Sequence, residues 1–199
     1  MPGAAVVLDA ETARPVADVV VAARWVRRSI AGPDAGSDDG AVLADAVTDE
    51  QGRFILPGML SISPHAEPLR THEEPGYAEP VLYLFKHGYR YTIVAERQVR
   101  PSGHKGFNLN TLPSAAPWWD GRIFRLEPVT EPPEDSLPRL TSGMPALDHC
   151  RWVEAPRLAA AYVQEVERLD RAGRSSASAS LLLQESCPGA EHPLADYVH

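Results

Sequence analysis

The sequence predicts a mainly β protein, a β-sandwich that is followed by a helical appendage at the C-terminus. Short runs of β-branched and aromatic residues, separated by turns that contain glycine and proline, occupy residues 4–130. No amphipathic helical pattern separates any two of these runs, and this disfavours a parallel α/β sheet. Beyond residue 156 the apolar residues change from strand spacing to helical spacing.

The predicted strands differ in the strength of their sequence pattern. Residues 16–25, rich in valine and ending in a tryptophan, have the strongest strand pattern in the chain. Residues 81–85 form a continuous apolar run, which is typical of a strand that is buried on both faces or lies in a sandwich core. Residues 49–52 are typical of a β-hairpin turn in which Gly52 adopts a positive φ. In chain order we expect about seven strands, at residues 6–8, 16–25, 41–48, 53–56, 81–85, 91–99 and 123–129.

Loops rich in glycine or proline interrupt these strands. An exposed loop is expected at residues 31–40, a long irregular insert at 57–80, and a further loop at 100–120. The strands themselves should contribute the apolar side chains of one sandwich core. We expect that core to contain Val19, Val21, Trp25, Phe54, Leu56, Leu82, Leu84, Ile123 and Phe124.

The C-terminal part of the chain predicts two helices. Pro156 suits the first turn of a helix, and apolar residues then follow at helical spacing at Leu158, Tyr162, Val166 and Leu169. With the first helix at residues 156–172, a weaker helical pattern at 176–186 would complete an antiparallel hairpin. The expected domains are a β-sandwich at residues 1–130, a linker at 131–148 and a helical appendage at 149–199.

Charge and hydropathy exclude several classes of partner. The chain has 19 basic and 27 acidic residues, a net charge of −8, and no basic stripe that could neutralise phosphates. We therefore expect it to bind neither nucleic acid nor an anionic membrane surface. No apolar run is long enough to span a bilayer, so no transmembrane segment is expected. The N-terminus has neither the charged region nor the long apolar region of a signal peptide.

Candidate metal-ligating residues are sparse. No two of the seven histidines are spaced as His-x-His or His-x-x-x-His. The best local cluster joins His72 to Glu73 and Glu74, with His65 seven residues earlier. This insert and the loop at 100–120 support an alternative function, a small hydrolase or metal-dependent enzyme. Because surface loops commonly carry such residues, the main interpretation assigns no catalytic residue, no metal and no cofactor.

The two adjacent tryptophans, Trp118 and Trp119, are a candidate ligand surface. Neighbouring side chains on a strand point to opposite faces, so one indole could cover the core while the other faces solvent or a partner. Aromatic rings offer a large contact area at a low cost in conformational entropy. Both a role in closing the core and a role in binding a protein or carbohydrate remain open at this stage.

The two cysteines, Cys150 and Cys187, are candidates for a disulfide. They flank the predicted helical hairpin, whose two ends would lie close together. A bridge would close a loop of nearly 40 residues, which is worth about 4 kcal/mol in the chain-entropy model. Free buried thiols are the alternative, and the disulfide would require an oxidising compartment.

Three segments, in this order, resemble the carboxypeptidase regulatory-like domain. Residues 6–21 (VVLDAETARPVADVVV) resemble its opening, a strand, an aspartate, a threonine-containing turn, a proline and a second strand. Residues 48–54 (TDEQGRF) are similar to its Thr-Asp-x-x-Gly-x-Phe hairpin, and residues 85–89 (FKHGY) to its strand that ends in Gly-Tyr. Asp18 departs from the family, which usually has glycine at that position.

The resemblance, which covers roughly residues 4–97, implies a seven-stranded, transthyretin-like (prealbumin-like) sandwich. It also implies a non-catalytic structural or recognition module of a bacterial envelope protein, with an unknown protein or carbohydrate partner. An export signal is then expected upstream of this sequence. A cytoplasmic partner of a toxin or secretion system is a third interpretation.

Enzymes of the same fold have signatures that this sequence lacks. Intradiol dioxygenases ligate iron through two tyrosines and two histidines. Tyr83, Tyr89 and Tyr91 are present here, but no His-x-His pair follows them. The Tyr-Arg-Gly-Ser ending of hydroxyisourate hydrolases is also missing, since this sequence ends in ADYVH.

Overall fold

A computed structural model describes residues 2–25, 42–57, 80–95, 117–129 and 151–171. Its strands are β1 (Gly3–Asp9), β2 (Val20–Trp25), β3 (Val42–Val47), β4 (Arg53–Leu56), β5 (Val81–Phe85), β6 (Thr92–Val94) and β7 (Ile123–Leu126). A short 3₁₀-helix (Arg151–Glu154) leads into helix α1 (Pro156–Arg171). This part of the chain is mainly β, as the sequence predicts. Its helix is too short to cross a bilayer.

The described strands form two sheets. One has three strands in the order β4-β1-β7, and the other has four in the order β3-β2-β5-β6. All neighbours are antiparallel except β1 and β7, which run parallel. Strand β5 pairs with the segment after Gly88, where Leu82 lies opposite Val94.

Inward-facing side chains of both sheets form the first core. Strand β1 alternates between buried and half-buried residues, the pattern of a strand with one face on a core. Eight of the nine predicted core residues are buried here, but Ile123 is 61% exposed and that prediction is wrong. Its neighbour Phe124 faces inward, and successive strand residues point to opposite faces, so Ile123 must face outward.

A second core lies between the four-stranded sheet and helix α1. Strand β5 supplies both cores: Leu82 and Leu84 face the other sheet, whereas Tyr83 and Phe85 face the helix. Of the two alternatives that the sequence left open for residues 81–85, the structure shows burial on both faces. The helix covers the outer face of the sheet with Leu158, Ala159, Val163 and Val166, all of them buried. The domain division at residues 130 and 149 stays a prediction.

Strand β3 anchors the start of helix α1. Asp45 Oδ2 accepts hydrogen bonds from the backbone N–H groups of Arg157 (2.7 Å) and Leu158 (3.1 Å), which are otherwise unpaired at a helix N-terminus. Burial raises the pKa of Asp45 above its ordinary value, against these hydrogen bonds and the Arg157 charge, which lower it. Glu154 Oε2 in turn accepts the N–H of Leu43 at 3.0 Å. A side chain of β3 therefore accepts backbone N–H groups of α1, and a side chain of the 3₁₀-helix accepts a backbone N–H group of β3.

The turn at residues 49–52 is not a β-hairpin turn, and that prediction is wrong. Strand β3 pairs with β2 and strand β4 pairs with β1, so this turn carries the chain from one sheet to the other. The turn itself forms as expected. Asp49 Oδ1 accepts the N–H groups of Gln51 and Arg53, and Gly52 has a φ of +70°. Its local chemistry is that of a tight turn, but it does not specify which strands pair.

Strand β2 begins at Val20, later than the predicted start at residue 16. Asp18 interrupts the extended chain, because its φ of +53° lies in the left-handed region. This is the position at which the resembled family usually has glycine, the residue best suited to such a conformation. Lys86 Nζ donates to the carbonyl of Ala17 at 2.6 Å and lies 3.8 Å from Asp18 Oδ2, which holds this bend against β5.

Several predictions lie outside the described residues. They concern the loop at 31–40, the insert with His65 and His72, and most of the loop at 100–120. The linker, the second helix at 176–186 and the pair Cys150 and Cys187 also lie there.

Candidate interaction surface

The polar side chains that the sequence singled out hold the backbone in place. Asp9 ends β1, and its Oδ1 accepts hydrogen bonds from the N–H groups of Glu11 (3.0 Å) and Thr12 (2.7 Å) and from the Thr12 hydroxyl (2.9 Å). The Thr12 backbone bond is the largest cause that lowers the pKa of Asp9 below its ordinary value. This carboxylate is an acceptor for the turn after β1 and not a free acid or base.

The second oxygen of Asp9 joins the two sheets. Tyr89, in the turn after β5, donates its hydroxyl to Asp9 Oδ2 at 3.0 Å. Burial, followed by the bond to this carboxylate, raises the pKa of Tyr89. The Asp-Thr turn and the Gly-Tyr strand end, both quoted for the family resemblance, therefore meet in one contact across the end of the sandwich.

Thr48, which follows β3, connects the end of that strand to the bend before β2. Its hydroxyl accepts the N–H of Val19 and donates to the carbonyl of Val16, both at 2.8 Å. The Thr48 side chain is buried at 3% exposure. A threonine at this place in the motif is thus explained by backbone hydrogen bonding.

One histidine is held by a buried carboxylate. His87 Nδ1 lies 3.1 Å from Glu165 Oε2, and Arg168 forms two hydrogen bonds to the same carboxylate, at 3.0 and 2.7 Å. Glu165 itself is buried, whereas the His87 side chain is 64% exposed. The three groups link the turn after β5 to helix α1. Within the described ranges, no three His, Cys, Asp or Glu side chains cluster as metal ligands would.

The tyrosines are also engaged in packing. Tyr83 and Tyr91 stack beneath helix α1, with ring centroids 6.4 Å apart. Burial raises the pKa of Tyr91, because the ionised phenolate would be desolvated there. With Tyr89 bonded to Asp9, each of the three tyrosines has a place in the fold.

Trp118 and Trp119 are both buried, at 8% and 1% exposure, so neither ring faces solvent. They lie in a turn and not on a strand, and the alternation that would send one ring outward does not apply. Trp119 packs edge-to-face against Trp25 at 6.2 Å, and Trp118 donates its indole N–H to the carbonyl of Pro80 at 3.2 Å. They belong to the core between the sheets, in agreement with the core-closing alternative.

A groove of about 520 Å³ opens beside Trp118 and the start of β7. Its polar residues are Asp120 and Arg122. Asp120 Oδ1 accepts the N–H of Ala4 at 2.9 Å, and Arg122 Nε donates to the carbonyl of Trp118 at 2.9 Å. Because both side chains already bond the protein's own backbone, this groove carries no evident chemistry.

The outer face of the three-stranded sheet carries the two most exposed large hydrophobic side chains of the described residues. Ile55 on β4 is 62% exposed and Ile123 on β7 is 61% exposed. Between them, outward residues of β1 are half-buried. We call this surface the β1 face, and define it by Ala4, Val6, Leu8, Arg53, Ile55, Ile123 and Arg125.

The register of the strands orders the β1 face into rows. Ile55 lies beside Ala4, and Val6 lies between Arg53 and Ile123. Leu8 lies beside Arg125 in the next row. The charged side chains among the outward positions of these strands are both arginines, and neither forms an ion pair within the described residues. The β1 face is therefore apolar along β1, with one arginine on either side of that strand, Arg53 beside Val6 and Arg125 beside Leu8.

The two sheets differ in how their outer faces are covered. The centre of the outer face of the four-stranded sheet is buried under helix α1, where Ala22 is fully inaccessible, whereas Val47 and Ile93 on its edge strands are 39% and 42% exposed. No described helix lies on the β1 face. The sequence contained a sign of this surface, since β4 (RFIL) and β7 (IFRL) each alternate an inward Phe or Leu with an outward Ile or Arg.

No family model matches the sequence, and no curated protein is similar to it. Among solved structures, the chain is similar to 3-chlorocatechol 1,2-dioxygenase from Rhodococcus opacus 1CP, at 22% identity and a TM-score of 0.26, over 46% of this chain and 41% of that one. It is also similar to a 9R-lipoxygenase from Cyanothece PCC8801, at 14% identity and a TM-score of 0.33, over 81% of this chain and 22% of that one. The chain thus spans less than half of either enzyme. At TM-scores this low, neither likeness bears on its fold or activity.

Proposed function

We propose that this chain is a non-catalytic recognition module that binds a partner through the β1 face. The observation that carries the proposal is the presence of Ile55 and Ile123 on one sheet face. These two large aliphatic side chains are each more than 60% exposed. Single exposed apolar residues are ordinary, but a contiguous apolar patch on a sheet commonly marks a contact site.

The polar groups of the fold support a structural and not a catalytic assignment. Asp9, Asp45 and Asp49 each accept backbone N–H groups, and Thr48 bonds the backbone on both sides of a bend. A general acid, base or nucleophile needs a free proton site beside a substrate cavity. These side chains are instead engaged in holding turns, caps and strand ends.

We further propose a prealbumin-like sandwich of the carboxypeptidase regulatory-like type, placed in a bacterial envelope. Its support is the contact between two of the segments that resemble this family. The Asp-Thr turn meets the Gly-Tyr strand end through Asp9 and Tyr89. Fractionation of the native host tests the location, and recovery of the protein only in the cytosol would contradict it.

Site-specific photo-crosslinking in the native host tests the recognition role. A benzophenone amino acid at Ile55 or Ile123 should give a discrete crosslinked product, because the side chain would lie in the contact. The same amino acid at Asp170, exposed on helix α1, is the matched control and should give none. Absence of any product from the β1 face, or equal products from Asp170, would contradict the proposal. A stoichiometric, tightly bound metal ion in the purified protein would contradict its non-catalytic part.

A further inference from the structure

We infer that the partner of the β1 face is an amphipathic α-helix of another protein, whose apolar stripe is flanked by carboxylates. The inference rests on the proposed function and adds the chemistry of the partner. It follows from the pattern of charge and apolar surface on the face and from the dimensions of the sheet.

Charge complementarity defines the sign of the partner. Arg53 and Arg125 are the charged outward residues of strands β4, β1 and β7, and no carboxylate of these strands faces outward with them. Glu127, which follows β7, is paired with Arg90 at 3.3 Å at the end of the sandwich. Although the whole chain is acidic, the charged outward residues of these three strands are both positive. A partner with carboxylates at its margins would pair with both arginines.

The spacing of the two arginines fits one face of a helix. Arg53 lies opposite Val6, and Arg125 lies opposite Leu8 on the other side of β1. They are therefore two strand spacings apart across the sheet and two residues apart along it, a separation of about 12 Å. On an α-helix, residues seven or eight positions apart lie about 10–12 Å from each other. Two acidic residues at that spacing, with apolar residues between them, match the face.

The width of the sheet also suits a helix. Three strands are about 10 Å across, which is close to the diameter of one α-helix with its side chains. Elsewhere in this molecule a helix already covers a sheet: α1 packs on the outer face of the four-stranded sheet through Leu158, Val163 and Val166.

A second copy of the chain is a poorer occupant. Face-to-face packing of two identical sheets would bring the arginines of one copy against a surface whose charged outward residues are also arginines. Like charges that approach in this way oppose association. The same positive sign could attract anionic lipid, so both occupants are outcomes of the test.

A displayed library of helical peptides tests the chemistry of the partner. The peptides share one Leu/Ile stripe, and two flanking positions seven residues apart are randomised among Glu, Lys, Gln and Ser. Selection on the wild-type protein should enrich Glu at both positions. Selection on Arg53→Glu/Arg125→Glu should enrich Lys there instead. Arg171→Glu, on the opposite side of the molecule, should keep the preference for Glu.

Binding of single peptides makes the same comparison quantitative. The Glu peptide should bind the double charge-reversal variant about tenfold more weakly than wild type, and added salt should reduce the difference. Arg53→Gln/Arg125→Gln is the second variant in case reversal impairs folding, and it should lose the Glu preference without gaining one for Lys. The inference is overturned if the selected peptides show no preference at the two flanking positions, or if the preference for Glu is kept in the charge-reversal variant.

Two further results would also overturn the inference. The first is self-association that Ile55→Lys abolishes, measured by sedimentation velocity. The second is binding to phosphatidylserine vesicles that requires Arg53 and Arg125, in the absence of any selected peptide. These outcomes are distinct from failure of the proposed function. If Ile55 crosslinks to a host protein but charge reversal leaves the product unchanged, only the partner chemistry is wrong.

Discussion

Replacing Thr48 with valine tests the two hydrogen bonds that join the end of β3 to the bend before β2. Valine has nearly the same shape as threonine but has no hydroxyl. The substitution leaves the N–H of Val19 and the carbonyl of Val16 without the partner that lies 2.8 Å from each in the wild type. Because Thr48 is only 3% exposed, water cannot readily replace that partner.

The expected cost follows from these two groups. A buried backbone group that is left unpaired costs about 1–3 kcal/mol. The additional buried methyl group of valine offsets about 0.8 kcal/mol. With two such groups left unpaired, we therefore expect the free energy of unfolding to fall by about 1–5 kcal/mol in Thr48→Val.

Urea unfolding, followed by tryptophan fluorescence and by circular dichroism, measures this loss as a lower midpoint at an unchanged m-value. Thr48→Ser is the matched control. It keeps the hydroxyl and loses one methyl group, so it should cost only about 1 kcal/mol. If Thr48→Val is as stable as wild type, or more stable than Thr48→Ser, the hydroxyl does not hold the bend and the reasoning is refuted.

Five other substitutions test separate parts of the fold. Gly52→Ala should cost about 2 kcal/mol or more, because alanine would have to adopt a positive φ and its Cβ would lie 2.4 Å from the carbonyl oxygen of Val7 in β1. Gly88→Ala, at a positive φ with open space around it, should cost less. Asp45→Ala should cost about 1–2 kcal/mol and speed amide exchange at the start of α1. Phe54→Ala, at 1% exposure, should cost about 3–5 kcal/mol. Asp9→Asn should be less stable than wild type at neutral pH, and the difference should shrink as the pH falls below about 3.9.

The sign of the Asp9 effect comes from its lowered pKa. The folded state binds the proton less readily than the unfolded state, so the carboxylate stabilises the fold above the ordinary aspartate pKa. That contribution is lost as the pH falls through the folded-state pKa. A difference in stability between Asp9→Asn and wild type that widens in acid would contradict this prediction. Equal costs for Gly52→Ala and Gly88→Ala, uniform amide exchange after Asp45→Ala, or a loss below about 1 kcal/mol for Phe54→Ala would contradict the other three.

Features that depend on neighbouring residues were predictable from the sequence. The turn at residues 49–52 forms because the Asp49 carboxylate and the flexible backbone of Gly52 lie within it. Residues 81–85 are apolar at every position, and this indicates a buried strand. The helix that begins at Pro156 was visible from the spacing of its apolar residues.

Features that join distant parts of the chain were decided by the tertiary structure. The strands on either side of the 49–52 turn enter different sheets. Strand β3, before the turn, pairs with β2, and strand β4, after it, pairs with β1. The acceptor for the first turn of α1 is Asp45, more than 100 residues away, where no local capping pattern could reveal it.

The candidate surface shows the same division. The alternation in β4 and β7 determined that Ile and Arg lie on one side of each strand and Phe and Leu on the other. It did not determine that both strands flank β1, which places Ile55, Ile123 and two arginines on one face. Side-chain direction has a period of two residues and is therefore written locally in the sequence. Strand pairing depends on contacts between segments far apart in the chain, and only the folded protein brings those segments together.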